Sequence, residues 1–141
     1  MSYYLDASLV VSAFTAETDT SKVQLWLDGN AAKSLVISPW IETEFASALS
    51  KKMREGKLTL EARSLTTAQW HRFRDALTDT IAILPQDFDT AARFVANHSL
   101  GLRASDALHL AVAARHGATL ATLDRVMAAA ATACGVPVIT L

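Results

Sequence analysis

The chain has 141 residues, of which 51% are hydrophobic and 19% are charged, and its formal net charge is -1 at pH 7. This composition is typical of one folded domain with a substantial core, and it excludes a disordered chain. The near-neutral charge excludes an overall basic field that would attract nucleic acid, so a nucleic-acid partner would have to be held by a local patch.

The N-terminal residues and the single cysteine indicate where the protein works. Residues 1–14 contain no basic region and carry Asp6 inside an apolar run. We therefore expect neither a signal peptide nor a membrane span. Cys134 has no partner for an internal disulfide, which favours a reducing compartment, and we interpret it as a small core residue. The sequence predicts a cytoplasmic protein without a membrane partner.

Short apolar runs alternate with stretches of helical spacing along the whole chain. The short runs predict strands at residues 2–5, 34–37, 81–84, 119–123 and 137–141. Helical spacing and end signals predict helices at residues 7–14, 20–27, 39–54, 58–79, 87–97 and 126–134, with another between Leu102 and Gly117. This alternation predicts a single α/β domain over residues 1–141, in which a mostly parallel sheet lies between two layers of helices.

Three acidic residues stand at the ends of predicted elements. Asp6 follows the first strand, Asp124 follows the strand at 119–123, and Asp106 lies in the first turn of a helix that is otherwise almost wholly apolar. A helix N-terminus stabilises a negative charge, so capping alone is one interpretation of Asp106. If the strands that precede Asp6 and Asp124 are neighbours at a switch point of the sheet, both carboxylates face one cleft.

The helix at residues 39–54 supplies a fourth candidate acid. Glu42 and Glu44 flank its apolar stripe on opposite sides, and periodicity does not choose between them. Four carboxylates at one cleft would repel one another unless a cation bound there. Mg²⁺ and Mn²⁺ prefer oxygen ligands, and no cluster of histidine or cysteine indicates zinc.

Three sequence segments carry a resemblance to a known family. They are YLDAS at 4–8, ETEFASAL at 42–49 and ASDALHLAVAARHGATLATLD at 104–124. In order and spacing they resemble the PIN-domain nucleases, and more closely the bacterial VapC-type toxins, over essentially the whole chain. The resemblance selects Glu44 over Glu42. It places the family's other acids at Asp6, Asp106 and Asp124, and its smaller polar residues at Ser8 and Thr122.

The resemblance implies a PIN-like α/β/α sandwich and an endoribonuclease that requires Mg²⁺ or Mn²⁺. It also implies an RNA substrate, a homodimer and an antitoxin encoded alongside. We expect Asp6, Asp106 and Asp124 to bind the metal directly or through water, and Glu44 to be a ligand or a base that orients water. A bound metal lowers the pKa of water and so supplies a nucleophile. Ser8 and Thr122 are interpreted as hydrogen-bond partners of the acids or as simple turn residues.

Two other functions are compatible with the pattern of acids. One is a phosphatase or phosphotransferase that attacks through Asp6, although the sequence Asp6-Ala7-Ser8 lacks a second acid two residues on. The other is a non-catalytic domain that binds a partner protein.

Several further side chains have a structural interpretation. We expect Arg103 to be a surface residue, although it could bind a phosphate, and His109 to be a packed core residue. The basic residues Lys51, Lys52 and Arg54 complement the C-terminal end of their helix, which is sufficient to explain them; phosphate binding is the weaker alternative.

Overall fold

The computed structural model describes residues 1–141 and contains a five-stranded, wholly parallel sheet. The strands are β1 (Ser2–Leu5), β2 (Ser34–Ile37), β3 (Thr78–Thr80), β4 (Thr119–Thr122) and β5 (Val138–Thr140). Their spatial order is β3-β2-β1-β4-β5. The chain therefore runs outward from β1 through β2 and β3, then returns to build β4 and β5 on the other side of β1. The switch point lies between β1 and β4.

Seven α-helices cover the two faces of this sheet. They are α1 (Ala7–Phe14), α2 (Thr20–Gly29), α3 (Trp40–Arg54), α4 (Leu60–Leu77), α5 (Pro85–Ala96), α6 (Ala104–His116) and α7 (Arg125–Ala133). The three-layer α/β/α fold class is confirmed.

Alternation along the strands sends neighbouring side chains to opposite faces of the sheet. Leu5 belongs to a core cluster formed with α1, α2, α3 and α4, whereas Tyr4 belongs to a second cluster formed with α6 and α7. Trp70 of α4 is fully buried in the first cluster and stacks on Phe73 with 6.2 Å between ring centroids, so it has a packing role. Helix α6 is buried continuously from Ala107 to Ala113, as its apolar sequence predicts.

The third strand is the one element that the sequence analysis misplaced. The apolar residues at 81–84 predict a strand there, but β3 is Thr78–Thr80 and is polar and mostly exposed. It is an edge strand that pairs with β2 through backbone hydrogen bonds, so it does not need apolar side chains. Ile81 and Ile83 instead pack against the second core cluster. None of the helices combines the length and the apolar character that a membrane span requires.

Candidate active site

The four candidate acids line one open cleft of about 820 Å³ at the carboxyl edge of the sheet. Asp6 caps α1 and Asp124 caps α7, on the two sides of the switch point between β1 and β4. Asp106 lies in the first turn of α6, and Glu44 lies in the second turn of α3. Four separate elements therefore deliver their carboxylates to the same cleft, as the sequence predicts.

Asp6 is the most deeply buried of these acids, with 3% of its surface exposed. Its carboxylate accepts hydrogen bonds from the backbone N–H of Leu9 at 3.0 Å, from Oγ of Ser8 at 2.8 Å and from Oγ1 of Thr122 at 2.5 Å. Burial nevertheless raises the pKa of Asp6 above its ordinary value, because these hydrogen bonds only partly offset the loss of water.

Ser8 and Thr122 connect Asp6 to the loop that carries Asp124. The Thr122 hydroxyl donates to Asp6 and accepts from the backbone N–H of Asp124 at 2.9 Å. Ser8 donates to Asp6 and accepts from the backbone N–H of Leu123 at 3.2 Å. Both hydroxyls therefore hold the ends of β1 and β4 in one arrangement, and both are more than simple turn residues.

Asp106 pairs with the exposed Arg103. Nε of Arg103 donates to Oδ2 of Asp106 at 3.1 Å, and one terminal nitrogen of the same guanidinium lies 3.8 Å from Asp124. Burial raises the pKa of Asp106; Arg103 partly counteracts this, and the negative charges of Asp124 and Glu44 add to it. These three acids are therefore close enough to repel one another.

One carboxylate oxygen of Asp124 caps a helix, whereas the other accepts no hydrogen bond within the protein. Its Oδ1 accepts hydrogen bonds from the backbone N–H groups of Val126 at 2.8 Å and Met127 at 3.1 Å, which caps α7. The nearest charged partner of Oδ2 is Arg103. One oxygen of this carboxylate thus remains available to the cleft.

The structure also separates the two glutamates of α3. Glu42 accepts hydrogen bonds from the Trp70 indole at 3.2 Å and from Arg74 at 3.0 Å, and so attaches α4 to α3. Glu44 lines the cleft with the three aspartates and contacts Nε2 of His109. Of the two glutamates, Glu44 is therefore the one that lines the cleft.

The carboxylate oxygens in the cleft suit the binding of a hydrated divalent ion. No group of three or more histidine, cysteine, aspartate or glutamate side chains is gathered tightly enough to enclose a metal. The available oxygens are carboxylates, however, and Mg²⁺ commonly binds through one or two carboxylates while it keeps several water molecules. Burial raises the pKa of Asp6 and of Asp106, so the protein compensates their charged forms only in part, and a nearby cation would stabilise them. The residues fit a partly hydrated ion and do not form a closed metal cage.

A family model described as PIN domain matches residues 3–133. The chain belongs to the PIN domain family. The family resemblance carried by the three sequence segments is confirmed.

Solved structures of other proteins share the fold of this PIN domain. VapBC2 from Rickettsia felis, bound to a DNA fragment from its promoter, has a TM-score of 0.72 and 16% identity, and the match covers 99% of this chain and 98% of that chain. VapC20 from Mycobacterium tuberculosis, described as a Sarcin-Ricin loop cleaving toxin, has a TM-score of 0.71 and 15% identity over 91% of this chain and 94% of that one. FitAcB from Neisseria gonorrhoeae has a TM-score of 0.69 and 18% identity, with 98% and 96% covered. No curated protein sequence matches significantly.

Two basic residues of the PIN domain lie in the cleft, although the sequence analysis favoured the helix dipole over phosphate binding as their explanation. Lys51 and Arg54 line the same cavity as the acids. They follow Glu44 by seven and ten residues on α3, so they extend along roughly the same face for two to three turns. That spacing is the signal that could have identified them.

The structure also shows the surroundings of His109 and Cys134 in the PIN domain. His109 is buried, as expected for a core residue, but both of its ring nitrogens have polar partners. Cys134 lies outside the cleft, and burial raises the pKa of its thiol, which makes it a poor nucleophile.

Proposed function

We propose that this PIN domain is a metal-dependent endoribonuclease and the toxin of a toxin–antitoxin pair. The observation that carries the proposal is the delivery of four carboxylates from four elements to one cleft at the switch point of the sheet. Ligands bind at such switch points in open parallel sheets. The similarity to VapC20, a toxin that cleaves the Sarcin-Ricin loop, supports RNA as the substrate class.

Mg²⁺, or Mn²⁺ in its place, is the proposed cofactor. Asp6, Asp106 and Asp124 would hold it directly or through water, and Glu44 would contribute a further ligand or orient the attacking water. A divalent ion supplies two things when bound: it lowers the pKa of a water molecule and offsets the charge of the phosphodiester.

The other cleft residues have roles that follow from their contacts. Ser8 and Thr122 fix the Asp6 carboxylate, so that its position does not depend on the substrate. Lys51, Arg54 and Arg103 are cations that line the cleft beside the acids. They would bind the phosphates on either side of the cleaved bond, which the acids alone would repel.

Two exposed apolar surfaces support the proposed protein partners. Phe88 on α5 is 57% exposed and borders an apolar cavity of about 410 Å³ between α5 and α6, which suits a homodimer contact. Leu60 and Leu65 on α4 are each 61% exposed, which suits the docking of an antitoxin. The similarity to VapBC2, which was solved bound to promoter DNA, supports an antitoxin partner for this chain as well.

The sequence around Asp6 disfavours the phosphotransferase alternative. Asp6-Ala7-Ser8 lacks a second acid two residues after Asp6, and three other acids share its cleft, which suits a bound cation better than a lone aspartate nucleophile. No observation favours that reaction over the metal-dependent one.

The test is digestion of a mixed RNA substrate by the purified chain, with Mg²⁺ and with a chelator. We expect internal cleavage that requires Mg²⁺ and that falls at least 100-fold in Asp106→Asn. Asp89→Asn is the matched control, because Asp89 is an exposed acid outside the cleft. Absence of cleavage by the wild type, or equal cleavage by Asp106→Asn, would overturn the proposal and favour a binding domain.

A further inference from the structure

A network of polar side chains extends from Glu44 into the core beneath the cleft. Nε2 of His109 contacts Oε2 of Glu44, and Nδ1 of His109 lies 2.7 Å from the Tyr4 hydroxyl. That hydroxyl also lies 2.7 Å from Oγ of Ser38. His109, Tyr4 and Ser38 are each at most 1% exposed. This network joins α6, β1 and the residue that follows β2 to Glu44 on α3.

The surroundings of His109 are apolar, so its polarity requires an explanation. It is flanked on α6 by Leu108 and Leu110, and the core beside it contains Val112 and Ala113. A well-packed apolar side chain is generally at least as stabilising in a core as a buried polar pair. The polar partner that His109 reaches outside the core is Glu44. Holding Glu44 is therefore the function that its contacts indicate.

The contacts of His109 leave it little freedom. Both ring nitrogens are engaged, and the ring lies edge-on to Tyr4 with 5.6 Å between ring centroids and 62° between ring planes. A side chain held from both ends in a packed core keeps one rotamer. Burial raises the pKa of Tyr4, so its hydroxyl stays protonated and remains a fixed partner for the ring.

The same contact fixes one oxygen of Glu44 and leaves the other free. Oε2 is bound to His109, whereas Oε1 has no hydrogen bond within the protein. An unrestrained glutamate samples several rotamers, and small errors in the placement of a group that acts in catalysis are costly. A tether through Oε2 would present Oε1 to the cleft in one position.

We propose that His109 is a positioning residue that orients Glu44 for RNA cleavage, with Tyr4 and Ser38 as its anchor. This inference rests on the proposed function, because it assigns to His109 an effect on that reaction. His109 does not itself reach the cleft.

Two substitutions of His109 separate positioning from packing. The amide nitrogen of glutamine reaches about as far as Nε2 of histidine, so His109→Gln keeps a donor for Glu44. The amide of asparagine reaches only about as far as Nδ1, so His109→Asn loses that donor. Both variants are neutral amides in the same core site and control for each other in stability, which thermal unfolding measures.

We expect His109→Asn to lower kcat by about 10-fold to 100-fold with little change in KM, and His109→Gln to recover most of kcat. Tyr4→Phe, which removes the anchoring hydroxyl, should give an intermediate loss. Equal kcat in wild type and His109→Asn would overturn the positioning role while leaving the ribonuclease function intact. So would equal losses in the two amide variants, because these indicate packing alone.

A second readout does not depend on cleavage. In the wild type, NMR should show a slowly exchanging ring N–H of His109 whose resonance shifts in Glu44→Gln. An unshifted resonance would overturn the contact itself. If the wild type cleaves no RNA, the proposed function fails, and the positioning of Glu44 for cleavage fails with it. The resonance still decides whether His109 holds Glu44.

Discussion

The guanidinium of Arg103 lies between two acids of the cleft, 3.1 Å from Asp106 and 3.8 Å from Asp124. Arg103 itself is largely exposed, with 76% of its side-chain surface accessible. An exposed ion pair is weak, typically worth up to about 1 kcal/mol. Arg103 is therefore a loosely held counter-charge to these carboxylates, and a divalent ion would compete with it.

Arg103→Ala should strengthen the binding of Mn²⁺ in the absence of RNA. Removal of the guanidinium frees two carboxylates and removes a nearby positive charge, so we expect an affinity up to about five-fold higher. Calorimetry with Mn²⁺ measures this. Arg93→Ala, which removes an exposed charge on α5, is the control and should leave binding unchanged. Unchanged or weaker binding in Arg103→Ala would show that Arg103 does not compete with the cation.

Asp6→Asn should abolish RNA cleavage and, without divalent ions, should stabilise the fold. Burial penalises the charged form of Asp6, so the neutral amide is expected to raise the free energy of unfolding at pH 7. Urea unfolding at pH 7 checks this. A destabilised variant would mean that the hydrogen bonds of the carboxylate outweigh the cost of burying it.

Asp6 also predicts in which direction the stability of the fold changes with pH. The folded chain holds a proton on Asp6 more readily than the unfolded chain does, because the pKa is raised in the fold. The stability contribution of Asp6 therefore increases as the pH falls from neutrality towards the ordinary aspartate value of 3.8, and decreases as the pH rises. In Asp6→Asn, the change in the free energy of unfolding between pH 7 and pH 5 should lack this contribution of Asp6.

Asp87 should behave in the opposite way, because it is a buried acid with a cationic partner outside the cleft. Burial alone would raise its pKa, but hydrogen bonds from Arg115 at 2.7 Å and from the backbone N–H of Leu84 at 2.8 Å outweigh burial and lower it. Its stabilising contribution is complete above the ordinary aspartate value and is lost as the pH falls through its lowered pKa.

We expect Asp87→Asn to lower the free energy of unfolding at pH 7 by about 2 kcal/mol, the scale of hydrogen bonds to a charged group. The difference from the wild type should shrink near pH 3, which urea unfolding at the two pH values measures. Cleavage per folded molecule should be unaffected. An active-site defect in the folded variant would contradict a purely structural role.

Lys51 and Arg54 should contribute to RNA binding through charge alone. Each phosphate contact with single-stranded nucleic acid adds about 0.7 to the slope of log affinity against log salt concentration. The double variant Lys51→Gln and Arg54→Gln should therefore lower that slope by about 1.4, as measured by fluorescence anisotropy in an Asp106→Asn background. Lys33→Gln with Arg93→Gln is the control, since neither residue lines the cleft. An unchanged slope would place the RNA elsewhere.

Much of this architecture could be predicted from sequence because the signals are local. Asp6, Asp106 and Asp124 stand at the ends of strongly apolar elements, and the parallel alternation of strands and helices brings strand ends to one edge of the sheet. Glu44 required the family resemblance, since its neighbour Glu42 has an equivalent place in the helical pattern. Their different roles depend on Trp70 and Arg74, which come from another helix.

Other features could not be predicted because they depend on partners that are distant in sequence. Strand β3 forms through backbone pairing with β2 and carries no side-chain pattern of its own. His109 lies three residues after Asp106 on the same side of α6, but its polar partners Tyr4 and Glu44 are 105 and 65 residues away in the sequence.

The central claim is that Asp6, Glu44, Asp106 and Asp124 serve one divalent cation. Calorimetric titration of the wild-type chain with Mn²⁺ at neutral pH tests it most directly, alongside Asp6→Asn, Asp106→Asn and the control Asp89→Asn. We predict saturable binding to the wild type and to Asp89→Asn, with loss of at least ten-fold in affinity in each of the two cleft variants. Absence of binding to the wild type, or equal binding by all four proteins, would contradict the claim.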